Sequence, residues 1–284
     1  MRIALVTDST ADLSEKLVSK YDIHVVPLTV LFGDKAYLDG PLMGDVPFYE
    51  KLKNSEVLPR TSQPSPADFQ ELYEKLLKEY DHIISIHISS KLSGTYASAQ
   101  MASEFVKTDK ITVVDSKVTT GMLNLMIQEV ADAIQRNESL DCVLKVVDWA
   151  LEKTRNVFTV DTLYYLQKNG RIGKASALIG GMLNFKPILV VRDGVIHAAE
   201  KVRGESRLTS KVMEIIDSWG FDANCKLRVV IAHGDDLNKA KEYEKLFKEK
   251  YENVEVSITL CGSVIGCHSG PKVIAIAALP SYEM

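Results

Sequence analysis

The side chains best suited to chemistry fall in four short segments of this chain. Two are rich in hydroxyls: Thr61-Ser62-Gln63-Pro64-Ser65 and Ser89-Ser90-Lys91-Leu92-Ser93-Gly94-Thr95. In the second, Ser93-Gly94-Thr95 opens a helical pattern, where free backbone N–H groups and the positive end of the helix dipole favour an anion. Gly94 lets a ligand approach the backbone closely, although Ser93 and Thr95 are equally suited to capping that helix. A third segment, 262–271, carries His268 among small residues and reads as a glycine-rich loop. An accessible imidazole there can donate to an anion or move a proton near neutral pH; a ring that packs or caps locally is the competing reading. Cys267 beside it reads as a small buried side chain, because no base and oxyanion arrangement accompanies it. The fourth segment, Asn169-Gly170-Arg171-Ile172-Gly173-Lys174-Ala175-Ser176, superficially suggests a phosphate-binding loop. Lys168 occupies the place of its first glycine and Ala175 that of its magnesium-binding hydroxyl, so the pattern fails twice.

Other chemistries find little support. No G-x-G-x-x-G, G-x-S-x-G or H-E-x-x-H pattern is present, which disfavours a nucleotide site, a serine hydrolase and a zinc hydrolase. His82 and His87 are five apart in a strand pattern and face opposite sides, which disfavours a shared metal. The four cysteines are scattered without a C-x-x-C pair, so neither a zinc site nor a disulfide framework is expected. Arg171 and Lys201-Val202-Arg203-Gly204 are basic groups open to two readings: solvated surface, or docking of an acidic or phosphorylated partner.

The elements that must position these residues follow from periodicity. In the first half, strand patterns at 3–6, 23–32, 83–88 and 111–114 alternate with helical ones. Pro27 marks the second strand as an edge or a bulge. Ser65-Pro66-Ala67-Asp68 is a helix start with a capping box and proline at the first helical position. Phe69, Leu72, Tyr73, Leu76, Leu77 and Tyr80 then form one apolar face. Further helices are expected near 96–106, 122–135 and 140–154, so this half predicts a parallel sheet with helices on both faces. The second half predicts a strand at 157–160 and short helices at 163–168 and 175–183. A hairpin over 188–202 turns at Asp193-Gly194. Helices near 207–218 and 238–250 and strands at 227–232, 254–260 and 273–279 complete it. This reads as a second α/β domain with a mixed or antiparallel sheet, giving domains 1–156 and 157–284.

Composition agrees with a globular protein. Of 284 residues, 46% are hydrophobic and 25% charged. The 34 basic and 38 acidic residues leave a formal charge of −4, which excludes broad charge-driven binding to nucleic acid. No signal peptide or spanning helix is expected, and the cysteine usage points to the cytoplasm.

Seven segments together resemble a known family. They are Val6-Thr7-Asp8-Ser9-Thr10-Ala11-Asp12-Leu13, Thr61 to Pro66, Ser89 to Tyr96, Asn169-Gly170-Arg171-Ile172, Leu183-Asn184-Phe185-Lys186-Pro187-Ile188, Lys201 to Gly204 and Gly266-Cys267-His268-Ser269-Gly270-Pro271. Their order and separations are similar to those of the DegV family over essentially the whole chain. The resemblance implies a carrier that holds one long-chain fatty acid in an apolar tunnel between two domains and uses no cofactor. It also implies an ATP-dependent kinase subunit as partner, which makes the acyl-phosphate for phospholipid synthesis, an acyltransferase downstream, and transient contact with a membrane. By the same resemblance Thr61, Ser62, Ser93, Gly94, Thr95, His268 and Gly270 fall where the carboxylate is held. Arg171, Lys201 and Arg203 fall at the tunnel mouth or the kinase-facing surface. Lys272 follows Gly270-Pro271 where the family usually has glycine. Thr119-Thr120-Gly121-Met122 departs from the expected small-residue run. The competing class is an enzyme, a small-molecule phosphotransferase or acyl hydrolase using the same hydroxyls and histidine. A regulatory lipid sensor is a third reading with the same pocket.

Overall fold

The computed structural model describes residues 1–179, 185–222 and 224–282. Its first sheet has four parallel strands in the order Ile23–Val26, Ile3–Asp8, His82–His87, Ile111–Asp115. All six residues of Ile3–Asp8 and of His82–His87 are buried, as expected for central strands of a sheet covered on both sides. The expected capping box is present: the Ser65 hydroxyl accepts from the Asp68 N–H, Asp68 answers the Ser65 N–H, and helix Pro66–Leu76 follows.

The second sheet has six strands in the order Val195–Arg203, Phe185–Arg192, Arg155–Thr159, Ile274–Pro280, Leu227–His233, Val254–Leu260. Only the last pair is parallel, so the expected mixed sheet is observed. The hairpin turns at Asp193 (φ 50°) and Gly194 (φ 79°), the left-handed pair that a two-residue turn requires.

Helix Gly121–Gln135 packs between the sheets, with twelve of its fifteen residues buried. Its polar residues Asn124, Gln128, Asp132 and Gln135 still form one stripe at helical spacing, although most of the helix is withdrawn from water. The few polar side chains it buries must be answered. Asn124 donates to the Asp12 carbonyl and Gln128 donates to Asn124. Arg228, on the second sheet, reaches Glu129 at 2.9 Å and Asp132 at 2.6 Å.

The structure corrects several expectations. The strand expected over 23–32 is two strands, Ile23–Val26 and Thr29–Phe32, which lie in different sheets. Pro27 between them has no N–H for a ladder. Thr29–Phe32 pairs instead with Lys35–Leu38 and Arg60–Ser62, and helix Phe48–Asn54 follows; the sequence pattern had shown none of these later elements. The loop expected over 262–271 contains a helix, Ser263–Ser269. The helix expected over 175–183 is a 3-10 turn over Gly173–Leu178; its end, with Leu183-Asn184, lies outside the described residues.

Arg228→Ala would leave the buried Glu129 and the half-buried Asp132 without their cation. Its urea midpoint should fall by the equivalent of about 3 kcal/mol, the cost of breaking a buried ion pair from one side. A loss below about 1 kcal/mol would reduce the network to surface charge.

Candidate functional site

The hydroxyl segments and the histidine converge on a cavity between the two sheets. Its wall includes Thr61, Ser93, Arg171 and His268, together with the start of the central helix, Thr119 to Met122. Most of the remainder is aliphatic or aromatic: Leu28, Ile88, Leu166, Phe158, Val191 and Ile276 are examples. The cavity, called the slot below, encloses about 870 Å³ of space between atoms, its opening included.

Local structure explains how each polar group arrives there. Ser93 lies in the loop after strand His82–His87, beyond its carboxyl end, where open parallel sheets bind ligands. Its hydroxyl accepts from the Thr95 N–H at 3.3 Å and pairs with the Thr95 hydroxyl at 2.9 Å at the start of helix Thr95–Val106, and the residue lines the slot. At Gly94 a Cβ would lie 2.2 Å from Oε1 of Gln63, so the end of that side chain would have to shift. Thr61 is the central residue of the short strand Arg60–Ser62, and its hydroxyl is 2.9 Å from Nε2 of His268.

His268 sits in the last turn of helix Ser263–Ser269, and its Nδ1 is buried without a hydrogen-bond partner. Burial, and secondarily the Arg171 charge, lower its pKa from 6.5 to about 4. The ring is thus neutral near pH 7. If Thr61 accepts from Nε2–H, its own hydroxyl proton is free for a ligand oxygen.

Two acids that sequence reasoning did not single out hold that helix in place. Asp39 accepts from the Ser263 hydroxyl and the Val264 N–H, and Asp12 accepts from the Gly262 N–H. Burial pushes both carboxyls above the usual range. The signal available in the sequence was faint: Asp12 lies inside the Val6-to-Leu13 segment, one of the seven that carry the family resemblance, with no role of its own assigned to it. Asp12 also accepts from Thr120 at 2.5 Å. Thr120 takes φ 47° and ψ −130° directly before the central helix, a conformation that costs a side-chain-bearing residue about 1–3 kcal/mol.

Other expected residues lie outside the cavity wall. Ser62 is exposed, with its hydroxyl near the Gln63 carbonyl. Thr95 is fully buried behind Ser93. Gly270 takes φ 76° against the Tyr165 ring, where a Cβ would come within 2.3 Å. Lys201 and Arg203 are exposed and lie over the Phe185 ring at 5.2 and 5.1 Å. Arg171 is exposed at the rim of the slot. Cys267 is buried, and burial raises its thiol pKa, as expected of an inert side chain. His82 bonds Thr112 while His87 bonds Asp8 and Ser85, so the two histidines share no partner. Among the described residues, no group of three or more His, Cys, Asp or Glu side chains is placed to hold a metal ion. No helix among them is long and apolar enough to cross a membrane.

Fold and cavity together define an α/β protein with two main sheets and a mostly apolar slot whose wall includes hydroxyls and a neutral imidazole. The chain belongs to the DegV family, whose model, described as one of uncharacterised proteins, matches residues 2–281. It is 35% identical to a DegV domain-containing protein of Halalkalibacterium halodurans, covering 97% of this chain and 98% of the relative. It is also similar to the solved structure of a Thermus thermophilus DegV family protein described for fatty acid binding. That match has 33% identity and a TM-score of 0.90, over 99% of this chain and 100% of the other. A stearic acid-binding protein of Eubacterium ventriosum matches at 26% identity and a TM-score of 0.88, over 99% of each chain.

The lowered His268 pKa makes stability depend on pH. Between about 6.5 and 4 the unfolded chain binds the proton and the folded chain does not, so folding weakens as pH falls through that interval. His268→Gln should flatten this part of the urea-midpoint profile relative to the unaltered chain. Parallel profiles would mean that the folded ring protonates as freely as an exposed one.

Proposed function

We propose that this chain binds one long-chain fatty acid in the slot and presents its carboxylate to a separate ATP-dependent kinase subunit. In this reading the chain divides into domains 1–156 and 157–284, and the ligand lies between them. The product is an acyl-phosphate, an activated acyl group of the kind an acyltransferase consumes in phospholipid synthesis. The observation that carries the reading is a mostly apolar slot whose wall brings together Thr61, Ser93 and His268, the first and last of them 2.9 Å apart. The fatty acid binding described for the Thermus thermophilus and Eubacterium ventriosum proteins supports it.

The energetics divide between the two ends of such a ligand. Each methylene removed from water contributes about 0.8 kcal/mol, so a tail of about fifteen gains roughly 12 kcal/mol before ordering costs. An ionised carboxylate buried without partners costs several kcal/mol. Donors from Thr61 and Ser93 offset that cost without a salt bridge that would hold the head group back from phosphorylation. Arg171 adds a positive charge at the rim, near enough to depress His268. Ser62, Gly94, Thr95 and Gly270 support this end from behind, by shaping the backbone and the Ser93 and His268 segments. Lys201 and Arg203 would face the kinase subunit. Phosphate donation from elsewhere also fits a chain with no nucleotide-binding motif.

Native mass spectrometry of the freshly purified chain tests the reading directly. A stoichiometric fatty acid is the expected result. An empty protein with intrinsic ATPase or esterase activity would replace the carrier by a phosphotransferase or an acyl hydrolase. In a fluorescent fatty-acid titration, Ser93→Ala should weaken binding by about 1–3 kcal/mol, the range for a hydrogen bond to a charged group. Unchanged affinity would remove Ser93 from the head-group site. Arg203→Glu should leave lipid binding intact while slowing acyl-phosphate formation in an assay coupled to the kinase subunit. Normal turnover would make Arg203 ordinary surface charge.

A further inference from the structure

The turn Asn169-Gly170-Arg171 reaches both sides of the slot. It follows helix Tyr164–Lys168, and Gly170 takes φ 70°, the left-handed conformation that lets the chain reverse there. Asn169 donates Nδ2 to the carbonyl of Cys267 at 2.8 Å, the residue directly before His268. That carbonyl belongs to the last turn of helix Ser263–Ser269, where carbonyl groups lack partners within the helix. Arg171 donates Nε to the carbonyl of Leu92 at 3.2 Å, the residue directly before Ser93. It also donates Nη1 to the carbonyl of Asn169 at 2.7 Å. All three bonds end on backbone oxygens, and Arg171 makes no ion pair among the described residues.

We propose that this turn is a bracket that sets the separation of Ser93 and His268, with Asn169 and Arg171 as positioning residues. The inference rests on the head-group site proposed above. Ser93 is supplied by the loop beyond the parallel sheet, and His268 by a helix that packs on strands Thr29–Phe32 and Arg60–Ser62 and on helices Phe48–Asn54 and Tyr164–Lys168. Nothing local relates the two, so their spacing depends on bonds that cross the gap. The planar guanidinium suits this task, since its donors lie at fixed angles and bridge Leu92 to Asn169. A lysine carries the same charge but cannot reproduce the fork. Contact groups must be held to within about 0.5 Å to act together, and supporting hydrogen bonds of this type supply that precision.

The test uses the whole chain and two probes with the same tail: palmitic acid and 1-hexadecanol, each displacing a fluorescent fatty acid. The unaltered chain should prefer the acid. Asn169→Ala and Arg171→Lys should each cut that preference about tenfold while affinity for the alcohol stays the same. Arg171→Lys keeps the charge, so its loss of preference reports geometry, and it carries the test if Asn169→Ala fails to fold. Equal losses for acid and alcohol, or an unchanged preference, would overturn the bracket and leave the turn a fold element only. If the unaltered chain shows no preference for the acid, the head-group reading itself falls and the bracket with it.

Discussion

Helix Gly121–Gln135 must satisfy two sheets at once, and the rest of the molecule is arranged around that burial. A helix mostly withdrawn from water has to be largely apolar, and its polar exceptions each need a partner. Asn124, Gln128, Glu129 and Asp132 find theirs in the Asp12 backbone, in one another and in Arg228. At the other end, Gly121 brings the helix start against the mixed sheet: a Cβ there would lie 3.0 Å from Val230. The slot lies at this same end, where Thr119 to Met122 form part of its wall. The helix that joins the sheets therefore also borders the space between them.

The helix carrying His268 is held at its other end by Asp12 and Asp39, whose carboxyls burial pushes toward the neutral form. The same Asp12 stabilises the unusual Thr120 backbone. One carboxyl thus braces both the start of the central helix and the segment that delivers the imidazole. Charge is kept to the margin, with Arg171 at the rim and Lys201 and Arg203 farther out over Phe185.

Much of the fold was legible because its cues are local. The Ser65 box and the Asp193-Gly194 turn act within a few residues and appear where expected, whereas the apolar face from Phe69 is helical only to Leu76 and Tyr80 lies beyond the helix end. The excursion between Thr29 and Ser62 was not legible. Its strands are short, and they pair with one another rather than with either main sheet. Helix Ser263–Ser269 was hidden for a different reason: its serines and glycines favour loops, and its order comes from Asp39, Phe48 and Asn169 elsewhere in the chain.

The sequence by itself determined the two kinds of sheet, most of the helices, and which segments carried hydroxyls, an imidazole and unmatched cations. Those depend on periodicity, caps and turn residues, which act over a few positions. Only the tertiary structure decided that Thr61, Ser93 and His268 share one slot while Ser62, Lys201 and Arg203 stay outside its wall. Residues separated by up to 207 positions meet there. No short-range pattern encodes such a meeting, because it arises from how two sheets pack on one buried helix.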